Sequence, residues 1–136
     1  MRRLALVLVV LSLTSVMADR AYCGRPSAST VAILNEVSSS GVTGKASFRP
    51  SKTGGTSISM SLQGLQYDVE YVAFYHVNST CDLEADYAHY ALIRFRGGKR
   101  GSASFTVDVA DNLTQIHSVS VNLGNYLGLV ACGPLN

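Results

Sequence analysis

The chain has 136 residues, 47% of them hydrophobic and 15% charged, with three cysteines, three histidines and no tryptophan. That length suits one domain with a buried core. Of its 11 Lys and Arg, Arg2 and Arg3 supply the formal net charge of +2, leaving nine against nine Asp and Glu, so the charge balance points to no nucleic acid and no acidic membrane as partner.

Arg2 and Arg3 precede an apolar run from Leu4 to Leu13, and Val16-Met17-Ala18 offers small residues for cleavage. Residues 1–18 read as a secretory signal peptide, because the run is too short to span a bilayer. The expected location is therefore secreted and extracellular, where cysteines pair. Residues 19–28 are polar, contain Gly24 and Pro26, and lack periodicity. They read as an N-terminal arm, with residues 29–136 as the folded domain. The arm carries Cys23, either a free thiol capped by a small thiol or a bridge between two copies.

Alternation then predicts strands. Thr30 to Asn35 is the first, and Gly41 to Arg49 the second, with Val42, Ala46 and Phe48 on one face. After the turn Ser51 to Gly55, the segment Thr56 to Leu62 puts Ile58, Met60 and Leu62 inward and Ser57, Ser59 and Ser61 outward. Further strands are expected over Tyr87 to Arg96, Ser102 to Val109, Ile116 to Leu123 and Tyr126 to Cys132. Short strands with regular turn signals indicate an all-β antiparallel sandwich or barrel.

The stretch around which this is organised runs from Val69 to Cys81. Val69, Tyr71, Ala73, Tyr75 and Val77 alternate with Glu70, Val72, Phe74, His76 and Asn78, so His76 and Asn78 are expected on one face, two residues apart. Two histidines at that spacing grip a metal from one strand. Here the second position is an amide, a poor ligand for copper or zinc.

Tyr75-His76-Val77-Asn78 resembles the Phe-His-Val-His strand of the Cu/Zn superoxide dismutases. Cys81 follows it as that family's disulfide cysteine does, and Leu129-Val130-Ala131-Cys132-Gly133 resembles the family's Arg-x-Ala-Cys-Gly. Val31 to Leu34, Gly41-Val42-Thr43-Gly44 with Phe48, and Gly64-Leu65 agree in order and spacing. The resemblance covers roughly residues 29 to 133. It implies a Greek-key β-barrel and a disulfide between Cys81 and Cys132.

It also implies a metal site and shows what is missing from it. His76 matches the first copper ligand, and Asn78 stands where the second belongs. His89 matches the bridging histidine, though it lies farther from Cys81 than in the family. The segment for the remaining zinc ligands is missing. Asn122 holds the place of the last copper histidine, Leu129 that of the substrate-guiding arginine, and the long electrostatic loop is cut to Leu123-Gly124-Asn125-Tyr126. Four imidazoles cannot come from His76, His89 and His117, and no side chain replaces copper in electron transfer. His117 reads as a core-edge histidine, and the Ser118, Ser120 and Asn122 face as plainly polar.

Other clusters carry less. Arg94, Arg96, Lys99 and Arg100 read as a solvated strand end. Asp82, Glu84 and Asp86 lack the spacing of a calcium loop, and no Gly-x-Ser-x-Gly motif is present. Tyr67, Tyr71, Tyr75, Tyr87 and Tyr90 are expected around the former metal face. Asn78-Ser79-Thr80 and Asn112-Leu113-Thr114 are N-glycosylation sequons, and a glycan on Asn78 is expected to cover that face. The leading reading is a secreted non-catalytic binding or structural module with no cofactor. Its partner would be an extracellular protein, for instance as a decoy, or a second copy through Cys23. The alternative is a diverged dismutase or copper- or zinc-binding protein using His76 and His89.

Overall fold

In the computed structural model, which describes residues 29–85 and 87–135, the alternating segments form strands β1 (Thr30–Glu36), β2 (Thr43–Pro50), β3 (Thr56–Gln63), β4 (Glu70–His76), β5 (Ala91–Arg96), β6 (Ala103–Val109), β7 (Ser118–Leu123) and β8 (Leu129–Pro134). The expected signal peptide, the expected arm and Cys23 lie outside these residues. Every ladder between these strands is antiparallel, and the strand order is β5-β4-β7-β8-β1-β2-β3-β6. Thr30 to Leu34 of β1 pair with β2, whereas Asn35 and Glu36 pair with β8. One strand thus joins two layers, β1-β2-β3-β6 and β5-β4-β7-β8, and the chain crosses between them after β3, after β5 and after β6. Among the described residues, no helix is long and apolar enough to cross a membrane.

The alternating residues fill the space between the layers. Phe48, Ile58, Met60 and Leu62 are buried as expected, with Leu34, Val119 and Val121 facing them from β1 and β7. Each such side chain contributes about 1.5–3 kcal/mol relative to exposure. At the β3 exit the chain passes so close to β2's approach that only glycine fits. Gly64 has φ +75, and a Cβ there would stand 1.9 Å from the Gly41 carbonyl oxygen.

Between β5 and β6 there is no ladder. Their turn is closed by backbone bonds from Gly98 N–H to the Ser102 carbonyl and from Gly101 N–H to the Gly98 carbonyl. Beyond it, the Phe95 and Phe105 rings meet at 5.1 Å. This seam is packed by side chains rather than by hydrogen bonds.

Two expectations need correction. The strand expected over Tyr87 to Arg96 begins only at Ala91, and Tyr87–Tyr90 is a helical turn. Its Tyr90 packs edge-on against Tyr75 at 5.4 Å, and the β4–β5 register shifts between Ala73 and Phe74 where the turn joins the strand. The alternation of β4 also stops at His76, so Asn78 is not a strand residue.

The disulfide joins Cys81 to Cys132 across 51 residues. Closing a loop of that length stabilises by about 4 kcal/mol on the chain-entropy account. Cys132 is registered opposite Ser120 of β7. The bond therefore ties the segment after β4 down over the outer face of β4 and β7.

Candidate functional site

On β4, Tyr71, Ala73 and Tyr75 point into the core. The alternate residues Val72, Phe74 and His76 point outward but are buried, His76 at 0% exposure. β7 sets Asn122, Ser120 and Ser118 opposite these three in turn. Val119 and Val121 take the inner positions of β7. The outer face of β7 is polar, as expected, but it is not solvated. Ser118, Ser120 and Asn122 are 0–2% exposed.

Buried polar atoms need partners, and here they use one another. Asn122 Nδ2 donates to Ser120 Oγ at 3.0 Å, and Ser120 Oγ lies 2.7 Å from His76 Nε2. Ser118 Oγ donates to the Asn78 carbonyl at 2.6 Å. With the imidazole proton on Nδ1, the Ser120 hydroxyl donates to Nε2, and one group is left unmet. With the proton on Nε2, both Nδ1 and the Ser120 hydroxyl hydrogen would be unmet, so the first tautomer is favoured. His76 Nδ1 is buried without a hydrogen-bond partner among the described residues. Burial lowers the pKa of His76 below its usual value, opposed by the Asp82 backbone and by the Glu84 and Asp82 charges. The Asp82 backbone acts on the ring without meeting the geometry of a bond to Nδ1.

Two covers keep this face dry. The first is the segment after β4, folded around the Asn78 side chain. Asn78 Oδ1 accepts from the backbone N–H groups of Thr80 at 3.1 Å and Asp82 at 3.2 Å. Its Nδ2 donates to the Asp82 carbonyl at 2.9 Å and to the Glu84 carboxylate. The residue in the second copper-ligand position is thus the internal brace of a loop. The second cover is the β7–β8 connection, where Tyr126 meets Phe74 edge-on at 5.7 Å. Arg94 holds this connection by stacking over the Tyr126 ring at 4.7 Å and bonding its hydroxyl, Glu70 Oε1 at 2.7 Å and the Gly124 carbonyl at 3.0 Å.

The structure does not bring His89 to His76. His89 is exposed and faces Asp111 Oδ2 at 3.7 Å, the same oxygen that accepts from the Tyr75 hydroxyl at 3.1 Å. It therefore stands on the Tyr75 side of β4, at the mouth of the barrel, while His76 points the other way. Burial and Asp111 push the Tyr75 pKa up to about 12. His117, expected at a core edge, is exposed, and its backbone bonds with the His76 carbonyl and the Leu135 N–H. Of the tyrosines expected on the face of His76, Tyr71 and Tyr75 belong to the core instead and Tyr67 is exposed, while Tyr126 packs there. Arg94 and Arg96 are paired with Glu70 and Asp68, not free at a strand end.

No family model matches the sequence, and neither does any curated protein. Solved structures do match. The chain has the superoxide dismutase fold, similar to superoxide dismutase 5 of Candida albicans in three structures, two single-site mutants and a Cu(II) form. The mutants give TM-scores of 0.58 and 0.52, each at 19% identity, over 79% and 80% of this chain and 90% and 88% of theirs. The Cu(II) form gives 0.53 at 16% identity, over 80% of this chain and 91% of that one. The copper and zinc of the resembled family do not fit the residues present. Among the described residues, no group of three or more His, Cys, Asp and Glu stands together to hold a metal.

The lowered pKa of His76 makes a pH dependence. An unfolded His76 titrates near 6.5 and the folded one lower, so below pH 6.5 the unfolded chain binds more protons and stability drops as the pH is lowered. Urea unfolding between pH 7.5 and 5.5 checks this. The wild type is expected to lose stability more steeply than His76→Gln, which lacks the titrating group; equal slopes would remove His76 as the cause.

Proposed function

We propose that this chain is a secreted, non-catalytic protein of the superoxide dismutase fold, acting outside the cell as a binding or structural module. The observation that carries this reading is the chain of bonds from Asn122 through Ser120 to His76, closed under Tyr126 and the Asn78 loop. It engages His76 Nε2, Ser120 Oγ and the Asn122 amide with one another. The disulfide supports an oxidising compartment. A second reading, a diverged dismutase or copper- or zinc-binding protein, rests on the unpartnered His76 Nδ1, one nitrogen where the fold's metal chemistry needs several.

The separating experiment is dismutase turnover of the mature chain after loading with copper and zinc. The expected result is no rate above free-copper controls. Metal-dependent turnover that disappears in His76→Gln would establish the second reading instead.

Glycosylation belongs to the same reading, with a preference between the sequons. The sugar replaces one Nδ2 hydrogen, and at Asn78 that nitrogen serves both the Asp82 carbonyl and Glu84. Addition there costs the folded loop one of these bonds, whereas Asn112 is exposed. Covering the former metal face thus falls to the loop rather than to a glycan. Glycopeptide mass spectrometry on chain secreted from eukaryotic cells is expected to find higher occupancy at Asn112 than at Asn78. Asn78 occupied with Asn112 bare would reverse the argument.

A further inference from the structure

Arg2 and Arg3 apart, the chain balances nine basic against nine acidic residues, but the outer face of the β1-β2-β3-β6 layer does not share that balance. Side chains alternate along a strand, so Lys45, Ser47 and Arg49 of β2 all point outward. Ser61, Ser59 and Ser57 of β3 are registered opposite them. β6 continues these rows with Ser104, Thr106 and Asp108. The acid of the three rows is thus Asp108, two strands away from Arg49.

Between Lys45 and Arg49 the face is recessed. A cavity of about 380 Å³ is lined by both cations, by Ser47, Ser59 and Ser61, and by Val31 of β1, with no acid among its lining residues. That volume lies within the range of small-ligand sites. Lys45 and Arg49 are four residues apart, about 13 Å along an extended strand, and they close the two ends of one recess. Neither takes part in an ion pair among the described residues, whereas Arg94 and Arg96 are engaged by Glu70 and Asp68. Ser59 Oγ is held by Thr106 Oγ1 at 2.8 Å. The Ser47 and Ser61 hydroxyls bond no protein group among the described residues.

These groups select a ligand chemistry. Guanidinium and ammonium donors bind oxyanions by charge-assisted hydrogen bonds, and serine hydroxyls both donate and accept, as sugar hydroxyls do. Val31, 43% exposed, offers an apolar contact to the C–H side of a sugar ring. No aromatic side chain lines the cavity, so a nucleic-acid base has nothing to stack on. Nor is there an aromatic-lined pocket to seat a peptide's anchor residue. We infer that this recess binds a sulfated sugar chain. Lys45 and Arg49 hold sulfate esters at its two ends, and Ser47, Ser59 and Ser61 bond the ring hydroxyls between them. The inference gives the proposed binding module a class of ligand. It rests on the layer opposite His76, so its failure leaves the reading of that face unchanged.

The test is isothermal titration of the purified chain with a short dextran sulfate oligosaccharide at physiological salt, where exposed charges farther apart than the screening length contribute little. Saturable binding is expected, with none to unsulfated dextran. Lys45→Gln combined with Arg49→Gln should weaken it by at least about tenfold. Removing the same charge through Lys99→Gln and Arg100→Gln, exposed residues outside the recess, should change it by less than about twofold. Ser47→Ala, which alters no charge, should weaken it by about fivefold. Melting curves of each variant show that it is folded. Absence of saturable binding overturns the inference, as do equal losses in the two double variants or a Ser47→Ala variant that binds like the parent. Polyglutamate or phosphatidylserine vesicles bound as tightly as the sulfated sugar would also overturn it, making the recess a general anion or membrane surface.

Discussion

The hydrogen bond between His76 and Ser120 fixes what the outer face of this barrel can be. An imidazole at 0% exposure needs its nitrogens satisfied or its charge removed. Ser120 meets one nitrogen, Asn122 holds Ser120, and burial keeps the ring neutral. A metal at His76 Nε2 would have to displace Ser120, leaving its hydroxyl and the Asn122 amide without partners. Each such loss costs about 1–3 kcal/mol. Hydrogen bonding on this face is an exchange among its own side chains, and the exchange favours the closed state.

The neighbouring elements follow from that exchange. The segment after β4 takes its order from the Asn78 side chain within the loop and from the Cys81–Cys132 bond beneath it. Cys81 itself takes a left-handed backbone, φ +60, where the chain turns to reach β8. The shortened β7–β8 connection brings Tyr126 onto Phe74, and Arg94 secures it from β5. The short β7–β8 connection thereby acts as a lid of a few residues.

The fold was legible because barrel strands write their facing in alternate residues. Ile58, Met60 and Leu62 against Ser57, Ser59 and Ser61 leave one register, and the Cys81 and Cys132 motifs anchored the order. That amides rather than imidazoles stand at Asn78 and Asn122 was legible from identity alone. The buried network was not. Ser118, Ser120 and Asn122 have the pattern of a solvated face, and only the loops packed over them make them interior. The position of His89 was hidden for a similar reason. The helical turn over Tyr87–Tyr90 is too short for periodicity to register, and it carries His89 to Asp111 rather than to His76.

If the outer face is a closed hydrogen-bonded structure, metal has nothing to add to the native state. A ligand that binds only the folded chain raises its stability, by about 2.7 kcal/mol at a hundredfold excess over its dissociation constant. The most direct measurement is therefore the melting temperature of the purified chain after chelation and again with stoichiometric and excess copper or zinc. This account expects the same melting temperature in every condition. A rise that saturates at one equivalent and vanishes in His76→Gln would contradict it.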